Sequence, residues 1–299
     1  MFKIVEKTRL WFLLSFVVIM SGLSVMGLDA LKQRQYLNFG IDFTGGSSLM
    51  FKLDSESSIK QSDSTLIEEA RTALSKFDLG HSHIQITKDA ELIIKTIELS
   101  NDQRLAVFNE LQTNLGNIEL LEADIIGPTI GAELKRKSLW IIFAVSMFLL
   151  LYISLRFEWR YGLSALIAVL HDALVMISMA ALFDLEINTA FVAALLTILG
   201  YSINDTIVIF DRIREWLAKD LVFKSLNDAL NSAVTSMFAR SFHTSFTTLL
   251  VIGALFIFGG TTIKSFCLVL LIGVISGTYS SLFIATPVIS LLFKEEPHD

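Results

Sequence analysis

The chain has 299 residues, of which 53% are hydrophobic and 18% charged, and its formal net charge is −6 at pH 7. Soluble domains are less apolar and more highly charged, so this composition predicts a membrane protein. The acidic balance excludes the basic surface expected of a nucleic-acid-binding protein. The single cysteine, Cys267, can form neither an intrachain disulfide nor a cysteine cluster for a metal.

Six long apolar runs with almost no charge follow one another along the chain. A bilayer core of about 30 Å requires roughly 20 apolar residues in a helix, so each run predicts one membrane span. The predicted spans are 10–28, 139–155, 161–183, 188–210, 238–260 and 266–292. The first run begins as a signal peptide would, but its length and the lack of a small-residue cleavage site favour a retained anchor.

The distribution of lysine and arginine predicts how these spans are oriented. Basic residues occur before the first span, between the second and third, and between the fourth and fifth, which places these segments and both termini in the cytoplasm. The run Lys135-Arg136-Lys137 falls on the outer side and opposes this assignment, although long translocated domains follow the rule less strictly. The resulting parts are a cytoplasmic start and first helix over 1–28, an outer domain over 29–137, five helices over 138–292 and a cytoplasmic tail over 293–299.

The outer domain is rich in charge, with 12 basic and 17 acidic residues between positions 29 and 137. Its apolar pattern predicts the order β-α-β-β-α-β, with elements at 47–53, 62–77, 83–87, 92–99, 102–115 and 118–126. This order matches the ferredoxin-like split motif, in which two helices cover one face of a small antiparallel sheet. The apolar stripe of the first helix is Leu66, Ile67, Ala70, Ala73, Leu74 and Phe77. The predicted fold class is a polytopic α-helical membrane protein with an inserted α+β domain.

The segment 211–237, between the fourth and fifth spans, mixes charged and apolar residues. We interpret it as an amphipathic cytoplasmic connector that lies on the membrane lipid, with a partner-binding helix as the alternative.

The spans contain only three formal charges, which are Asp172, Asp205 and Arg240. A charge at the bilayer centre costs at least about 2.5–3.5 kcal/mol on insertion scales, so such residues usually face a bundle interior or a water-filled cavity. Tyr201 and Thr197 precede Asp205 by one and two helical turns, and Asn204 lies beside it. This spacing predicts a polar stripe that is turned into the bundle.

The fifth span carries a matching stripe formed by Arg240, Thr244, Thr247 and Thr248, with His243 beside it. Arg240 lies at the same predicted depth as Asp205, so we expect the two charges to meet. A carboxylate that can take up a proton beside a movable arginine is suited to proton coupling. Snorkelling of Arg240 to the headgroups and a structural ion pair at Asp205 remain alternatives. His171 and Asp172 form either a second proton station or a polar pair that fixes helix packing.

Several short motifs occur in order along these elements. They lie at 38–46 (NFGIDFTGG), 127–133 (GPTIGAE), 171–172 (HD), 200–206 (GYSINDT) and 210–215 (FDRIRE). In this order and spacing they resemble the SecF branch of the SecD/SecF family of protein-export membrane proteins, over about residues 9–292.

The resemblance implies one half of a bundle of the resistance-nodulation-division superfamily, with one helix, a periplasmic domain and five further helices. It implies a proton-driven accessory subunit of the Sec translocase in the bacterial inner membrane, without cofactor, metal or chemical active site. The implied partners are SecD, the SecYEG translocon, YajC and other accessory proteins, and the translocating preprotein. In that family the matching aspartate and arginine take part in proton coupling, which assigns this role to Asp205 and Arg240. The polar residues that would support them are Asn204, Tyr201, Thr197, Thr244, Thr247, His171 and Asp172.

Glycine pairs mark two further positions. In the motif Asp42-Phe43-Thr44-Gly45-Gly46 they permit positive φ and close backbone approach, which predicts a tight turn from the first span into the first strand. A phosphate-binding loop is excluded there because the Gly-Lys-Ser/Thr ending is missing. Gly273 and Gly277 in the sixth span predict close helix packing.

Two other functional classes are alternatives. One is a small-molecule or lipid exporter half of the same superfamily, although the single outer domain is small for such a role. The other is an intramembrane aspartyl protease built on Asp172 and Asp205, whose His-Asp and Asn-Asp contexts differ from the Tyr-Asp and Gly-x-Gly-Asp pairs of that class.

Overall fold

The computed structural model describes residues 3–32, 36–53, 62–87, 90–218 and 225–293. The chain divides into two compact units, one formed by Met1–Asn38 with Trp140–Asp299 and the other by Phe39–Leu139. A 3₁₀ turn (Val5–Lys7) precedes the first helix, and a π-helical turn (Ser281–Ala285) joins the last two. In chain order the elements are α1 (Thr8–Leu31), α2 (Ile41–Thr44), β1 (Gly46–Leu53), α3 (Asp63–Ser75), β2 (His83–Ile86), β3 (Glu91–Thr96), α4 (Asn101–Leu115), β4 (Ile118–Ile126), α5 (Pro128–Arg156), α6 (Trp159–Leu182), α7 (Thr189–Leu217), α8 (Leu226–Phe258), α9 (Thr261–Ser280) and α10 (Thr286–Phe293).

The described residues contain six helical segments that are long and apolar enough to cross a membrane, which confirms the number of predicted spans. They are α1 with its 3₁₀ turn, α5, α6, α7, α8, and α9 continued through α10. The apolar windows of α6, α7 and α9–α10 are 50%, 44% and 61% buried, whereas that of α5 is 6% buried. Helices α6, α7 and α9–α10 therefore form the centre of the bundle, whereas α5 exposes almost all of its apolar surface.

Glycines allow the central helices to approach closely. A Cβ atom at Gly277 of α9 would lie 3.0 Å from the Ser202 Cβ of α7, and one at Gly273 would overlap the Ile198 side chain. The prediction that this pair serves helix packing is confirmed, because both glycines face a neighbouring helix of the same chain. The small residues bring the polar side chains of α7 and α9 within hydrogen-bonding distance.

The second unit contains a four-stranded antiparallel sheet with the strand order β2-β3-β1-β4. Its elements follow the predicted order β-α-β-β-α-β. The core of the unit joins both helices to one face of the sheet through Leu49, Phe51, Leu66, Ala70, Leu74, Leu92, Ile94 and Leu111. In the predicted stripe of α3, Leu66, Ala70, Ala73 and Leu74 are buried, and Ile67 and Phe77 pack at its edge.

The strand predicted over 92–99 is shorter in the structure. β3 ends at Thr96, and the Leu99 amide donates to the Ser47 hydroxyl at 3.0 Å. A capping box follows at the start of α4: the Ser100 hydroxyl accepts from the Gln103 backbone amide, and the Gln103 side chain accepts from the Ser100 backbone amide. Helix α4 therefore requires the chain to leave the sheet early.

The prediction of a separate surface helix over 211–237 is wrong for the part that the structure describes. Residues up to Leu217 continue α7, and Ser225 caps the start of α8 by accepting from the Asp228 amide. Ile213 and Leu230 are buried in the bundle, so the apolar face packs on protein instead of lipid. Residues 219–224 of the predicted connector and residues 294–299 of the predicted tail lie outside the described residues.

Candidate functional site

Asp205 is a half-buried aspartate on α7 beside α8. Its Oδ1 accepts a hydrogen bond from the Ser241 hydroxyl at 2.8 Å. Its Oδ2 is buried and has no hydrogen-bond partner among the described residues. A buried polar atom without a partner is destabilising by about 1–3 kcal/mol, and a hydrogen-bond donor from outside the described residues would remove that cost.

Arg240 directly precedes Ser241 on α8, and its side chain is exposed. It lies close enough to interact with Asp205 electrostatically, whereas the hydrogen bond to the carboxylate comes from Ser241. Within the described part of the chain the two charges form no direct ion pair, since Asp205 Oδ2 has no partner. The structure thus brings both side chains to the contact between α7 and α8 without joining them.

The stripe predicted on α7 only partly turns inward. Tyr201 is half-buried, and its hydroxyl donates to Ser245 of α8 at 3.3 Å. Thr197 and Asn204 are exposed, and the Thr197 hydroxyl donates to the Ala193 carbonyl of its own helix at 2.7 Å. Tyr201 is therefore the member that joins the two helices.

The polar stripe predicted on α8 faces away from the other helices of this chain. Thr244 and Thr247 are exposed and donate to carbonyls of α8 itself, at 2.9 Å to Arg240 and 2.9 Å to Thr244. The buried polar face lies one residue further round, at Ser241 and Ser245. A step of one residue turns a helix by about 100°, so the arginine stripe points away from the bundle.

Asp172 lies at the centre of the bundle with none of its surface exposed. Its carboxylate accepts hydrogen bonds from three serine hydroxyls: Ser202 of α7 at 2.6 Å, and Ser276 and Ser280 of α9, each at 2.7 Å. The His171 Nδ1 lies 3.1 Å from Asp172 Oδ1. Every hydroxyl in this group donates to the carboxylate, so the buried acid is fully hydrogen-bonded.

His171 extends this cluster to α1. Its Nε2 lies 2.9 Å from the Ser15 hydroxyl, which also lies 3.3 Å from the Tyr279 hydroxyl. The Tyr279 hydroxyl in turn donates to the Trp11 carbonyl at 2.7 Å. Side chains from α1, α6, α7 and α9 therefore form one continuous hydrogen-bonded network, which we call the Asp172 cluster.

Asp172 and Asp205, the two residues of the aspartyl-protease alternative, lie in different hydrogen-bonded surroundings. Asp172 is enclosed by serines and His171, whereas Asp205 accepts from Ser241 on another helix. The two carboxylates share no hydrogen-bond partner in the described residues, because the serine donors to Asp172 lie on α7 and α9 and the donor to Asp205 lies on α8.

Sequence reasoning missed the serines of this network. Ser276 and Ser280 are spaced by one helical turn on α9, and both donate to Asp172. Ser202 and Thr206 have the same spacing on α7, and the Thr206 hydroxyl lies 2.8 Å from the Ser281 hydroxyl. Small hydroxyl residues at intervals of four in apolar helices are a signal for a polar helix interface. That signal indicates a face, but it does not identify Asp172 as the group the face contacts.

The glycine motif forms a compact corner before β1. Residues 41–44 adopt the short helix α2, which replaces the simple turn that the sequence predicted, and Phe43 is buried. Gly45 and Gly46 have φ values of +73° and +130°. A Cβ atom on Gly45 would lie 2.8 Å from the Pro128 Cα, so glycine is required here by both conformation and space.

The described residues contain no group of three histidine, cysteine, aspartate or glutamate side chains arranged to hold a metal ion.

Comparison with known proteins gives a consistent picture. The model of the family described as "Protein export membrane protein SecD/SecF, C-terminal" matches residues 107–295. The chain is 40% identical to the protein translocase subunit SecF of Sebaldella termitidis, over 99% of this chain and 94% of that protein. It is 36% identical to the protein translocase subunit SecF of Synechocystis, over 92% of this chain and 89% of the relative.

Solved structures of SecDF also match. The crystal structure of SecDF from Thermus thermophilus, titled a translocon-associated membrane protein, superposes with a TM-score of 0.85 at 30% identity and covers 99% of this chain. A SecDF structure in the super-membrane-facing form gives a TM-score of 0.67 at 30% identity. This chain spans 39% of the length of each SecDF chain.

Proposed function

Because the chain belongs to the SecD/SecF family of protein-export membrane proteins and is an accessory subunit of the Sec translocase, we propose that Asp205 and Arg240 couple proton movement to export. The observation that carries this proposal is the Asp205 carboxylate, which has one oxygen bonded to Ser241 and the other buried without a described partner. Such a group can bind a proton without first breaking an ion pair.

Arg240 is the second residue of the proposed coupling pair. When Asp205 is charged, it attracts the arginine on the next helix; when it is protonated, this attraction is lost and α8 is free to shift against α7. A membrane potential of about 100 mV is worth roughly 2.3 kcal/mol per charge moved across the membrane, which is enough to bias such a shift. Energy for the cycle would then come from the proton gradient alone, without a cofactor.

The outward-facing stripe on α8 supports a partner half. Arg240, Thr244 and Thr247 are exposed in a helix that is long and apolar enough to cross a membrane, and α5 exposes nearly all of its apolar window. The two threonine hydroxyls are satisfied by carbonyls of α8, but a charged arginine within a bilayer usually faces a polar partner or a water-filled cavity. We infer that a SecD subunit covers this face and completes the proton site, which fits a chain that spans 39% of SecDF.

The finer architecture belongs to the same proposal. We propose that the inserted unit is a ferredoxin-like domain, which is supported by its strand order β2-β3-β1-β4 and by the two helices on one face of the sheet. We place this domain on the periplasmic side of the bacterial inner membrane, between the first helix and the other five, with both termini in the cytoplasm. There it would contact the translocating preprotein, while SecYEG, YajC and other accessory proteins would bind the assembled complex.

The substitution Asp205→Asn tests the proton role, because it keeps the shape of the side chain and removes its ability to exchange a proton. In inverted membrane vesicles that contain SecYEG and SecD, we expect Asp205→Asn to retain complex assembly and to lose the stimulation of preprotein translocation by a proton gradient.

The matched control is Asp211→Asn on the same helix. Asp211 is a half-exposed aspartate that lies 3.6 Å from Arg156 and 3.4 Å from Arg214, outside the Asp205 contacts. We expect the control to retain the stimulation. If Asp205→Asn assembles and responds to the gradient like the parent chain, the proton role is refuted.

A further inference from the structure

The Asp172 cluster contains a histidine whose two ring nitrogens face different kinds of hydrogen-bond partner. His171 is 8% exposed and Asp172 is fully buried. The carboxylate of Asp172 already accepts from Ser202, Ser276 and Ser280, and it can offer His171 only an acceptor. The nearby Nδ1 of His171 must therefore carry a hydrogen that it donates to Asp172, in every state of the ring in which the carboxylate is ionised.

The other nitrogen, Nε2, faces a group that can either donate or accept. The Ser15 hydroxyl has one hydrogen and two candidate acceptors, namely His171 Nε2 at 2.9 Å and the Tyr279 hydroxyl at 3.3 Å. The Tyr279 hydroxyl uses its own hydrogen on the Trp11 carbonyl at 2.7 Å, so its oxygen is available to accept. The Ser15 hydrogen can thus point in either direction without movement of any heavy atom.

These two orientations correspond to two protonation states. When Ser15 donates to His171, Nε2 carries no hydrogen and the ring is neutral. When Ser15 donates to Tyr279, its oxygen accepts from Nε2, both ring nitrogens carry hydrogen, and the ring is an imidazolium. The two states differ by one proton. In both of them, every polar hydrogen along the series of hydrogen bonds from Asp172 to the Trp11 carbonyl has an acceptor.

From this accounting we propose that His171 is a second proton-binding site of the bundle, distinct from Asp205, and that the Ser15 hydroxyl accommodates the proton by turning from His171 toward Tyr279. Uptake converts a lone buried carboxylate into a compensated imidazolium–carboxylate pair, the form in which buried charges are tolerated. No other reactant is needed, since the proton forms the Nε2–H bond and no bond between heavy atoms is made or broken.

Access and surroundings are compatible with this role. A cavity of about 290 Å³ is lined by the polar residues His171, Ser15, Ser276 and Tyr279 and by apolar side chains such as Leu14 and Val175. It exceeds the roughly 30 Å³ that one water occupies in the liquid, and the polar groups of His171, Ser15 and Tyr279 are the partners that a water there would bind. Among the described residues, the titratable groups brought to His171 are Asp172 from α6 and Tyr279 from α9, whereas α1 and α7 contribute the hydroxyls of Ser15 and Ser202.

Protonation at this site would act on the contact between α6 and α1. The hydrogen bond from Ser15 to a neutral ring becomes one from a charged ring to Ser15, and hydrogen bonds to charged groups are about twice as strong as neutral ones. Proton uptake would therefore tighten α1 against the centre of the bundle. This step does not require that Asp205 carry protons, so either site can fail its test without deciding the other.

The test is solid-state ¹⁵N NMR of the full chain in lipid bilayers with its histidine side chains labelled. The chain has five histidines, and the spectrum of His171→Gln identifies the His171 signals by difference. Between about pH 8 and about pH 5, the range in which histidine ordinarily changes charge, we expect the His171 signals to change from a neutral ring with hydrogen on Nδ1 to an imidazolium.

Two variants and one control separate the proposed switch from general effects. Tyr279→Phe removes the acceptor for Ser15 and should lower the imidazolium fraction at a fixed acidic pH at least about twofold. Asp172→Asn removes the compensating charge and should abolish the imidazolium signal. Tyr201→Phe removes a tyrosine hydroxyl that donates to Ser245 and should leave the His171 spectrum unchanged. A single protonation state of His171 over the whole range, or an unaltered imidazolium fraction in either of the first two variants, would overturn the proposal.

Discussion

Ser202 and Asp205 lie one turn apart on α7, yet their hydrogen bonds lead to different helices. The Ser202 hydroxyl donates to Asp172 of α6 at 2.6 Å, and the Asp205 carboxylate accepts from Ser241 of α8 at 2.8 Å. Helix α7 is therefore fixed to the bundle centre at one turn and presents the proposed coupling carboxylate at the next. Stability and coupling should consequently respond to different serine substitutions.

The first prediction is that Ser202→Ala destabilises the bundle. Loss of one donor to a buried carboxylate costs about 1–3 kcal/mol, at the upper end of what hydrogen bonds between membrane helices contribute. Thermal unfolding of the purified complex with SecD should show a lower midpoint for this variant. Ser241→Ala is the matched comparison, because Ser241 contacts the half-buried Asp205, and we expect a smaller loss of stability with a larger change in proton-gradient stimulation. Equal unfolding midpoints for Ser202→Ala and the parent chain would show that Asp172 does not depend on this donor.

A second prediction concerns the start of the chain, where Asn231 of α8 binds the 3₁₀ turn. The buried Asn231 Oδ1 accepts from the Ile4 and Val5 amides at 2.8 and 3.0 Å, and its Nδ2 donates to the Glu6 carboxylate. Asn231→Ala leaves two buried amides without their acceptor, so we expect hydrogen exchange at Ile4 and Val5 to accelerate about tenfold or more. The measurement is exchange followed by mass spectrometry of the N-terminal peptide.

The control for that experiment is Asn204→Ala, which removes an exposed asparagine from α7. Exchange in the N-terminal peptide should then remain at the parent rate. Unchanged exchange in Asn231→Ala would mean that the turn is held by other contacts, such as the hydrogen bond from the Trp11 indole to the Ile4 carbonyl at 3.1 Å.

The features that could be predicted from the sequence are those set by local pattern. The six spans follow from hydropathy over about 20 residues, and the order of strands and helices in the inserted unit follows from periods of 2 and 3.6. The buried face of α3 was found in this way, since Leu66, Ala70 and Leu74 recur at helical spacing.

The features that could not be predicted depend on which faces of the helices pack against each other. Asp172 is bonded by Ser202, Ser276 and Ser280, which are 30, 104 and 108 residues distant in sequence. The spacing of Ser276 and Ser280 indicates a polar face, but the local sequence does not show that their hydroxyls donate to Asp172 and not to helix carbonyls, as Ser24 does to Met20. The orientation of the α8 stripe was missed for a related reason, because Ser241 and Arg240 are neighbours and one residue decides which of them is buried.

The pH response of the inserted unit yields a third prediction. Lys76 donates a hydrogen bond to Glu110 at 2.5 Å, and the Asn114 amide adds another at 2.8 Å, which together hold the pKa of the Glu110 carboxyl below its ordinary range. A group with a lowered folded-state pKa stabilises the folded state at neutral pH, and that contribution is lost as the pH falls through the folded-state pKa. Because the pair joins α3 to α4 at the surface, we expect only a small loss of stability on acidification.

The direct measurement is the carboxyl ¹³C shift of Glu110 as a function of pH in the full chain. Lys76→Met should move the midpoint upward toward the value of an ordinary glutamate. Lys52→Met, which removes an exposed lysine of β1, should leave it in place. An unchanged midpoint in Lys76→Met would show that Asn114 alone sets the pKa.

The last prediction is that Gly46→Ala disrupts the corner that leads into β1. Gly46 has a φ of +130°, and a Cβ atom there would overlap the Thr96 carbonyl oxygen of the paired strand β3. Backbone strain of this kind costs about 1–3 kcal/mol before any overlap is relieved, so the start of the β1–β3 ladder should open. Gly80→Ala provides the control within the same unit, because its Cβ would meet Ser75 at an ordinary 3.5 Å. We expect hydrogen exchange at the β1 and β3 amides to rise in Gly46→Ala and not in Gly80→Ala. Parent-like protection of both strands in Gly46→Ala would mean that the corner can rearrange without loss of the ladder.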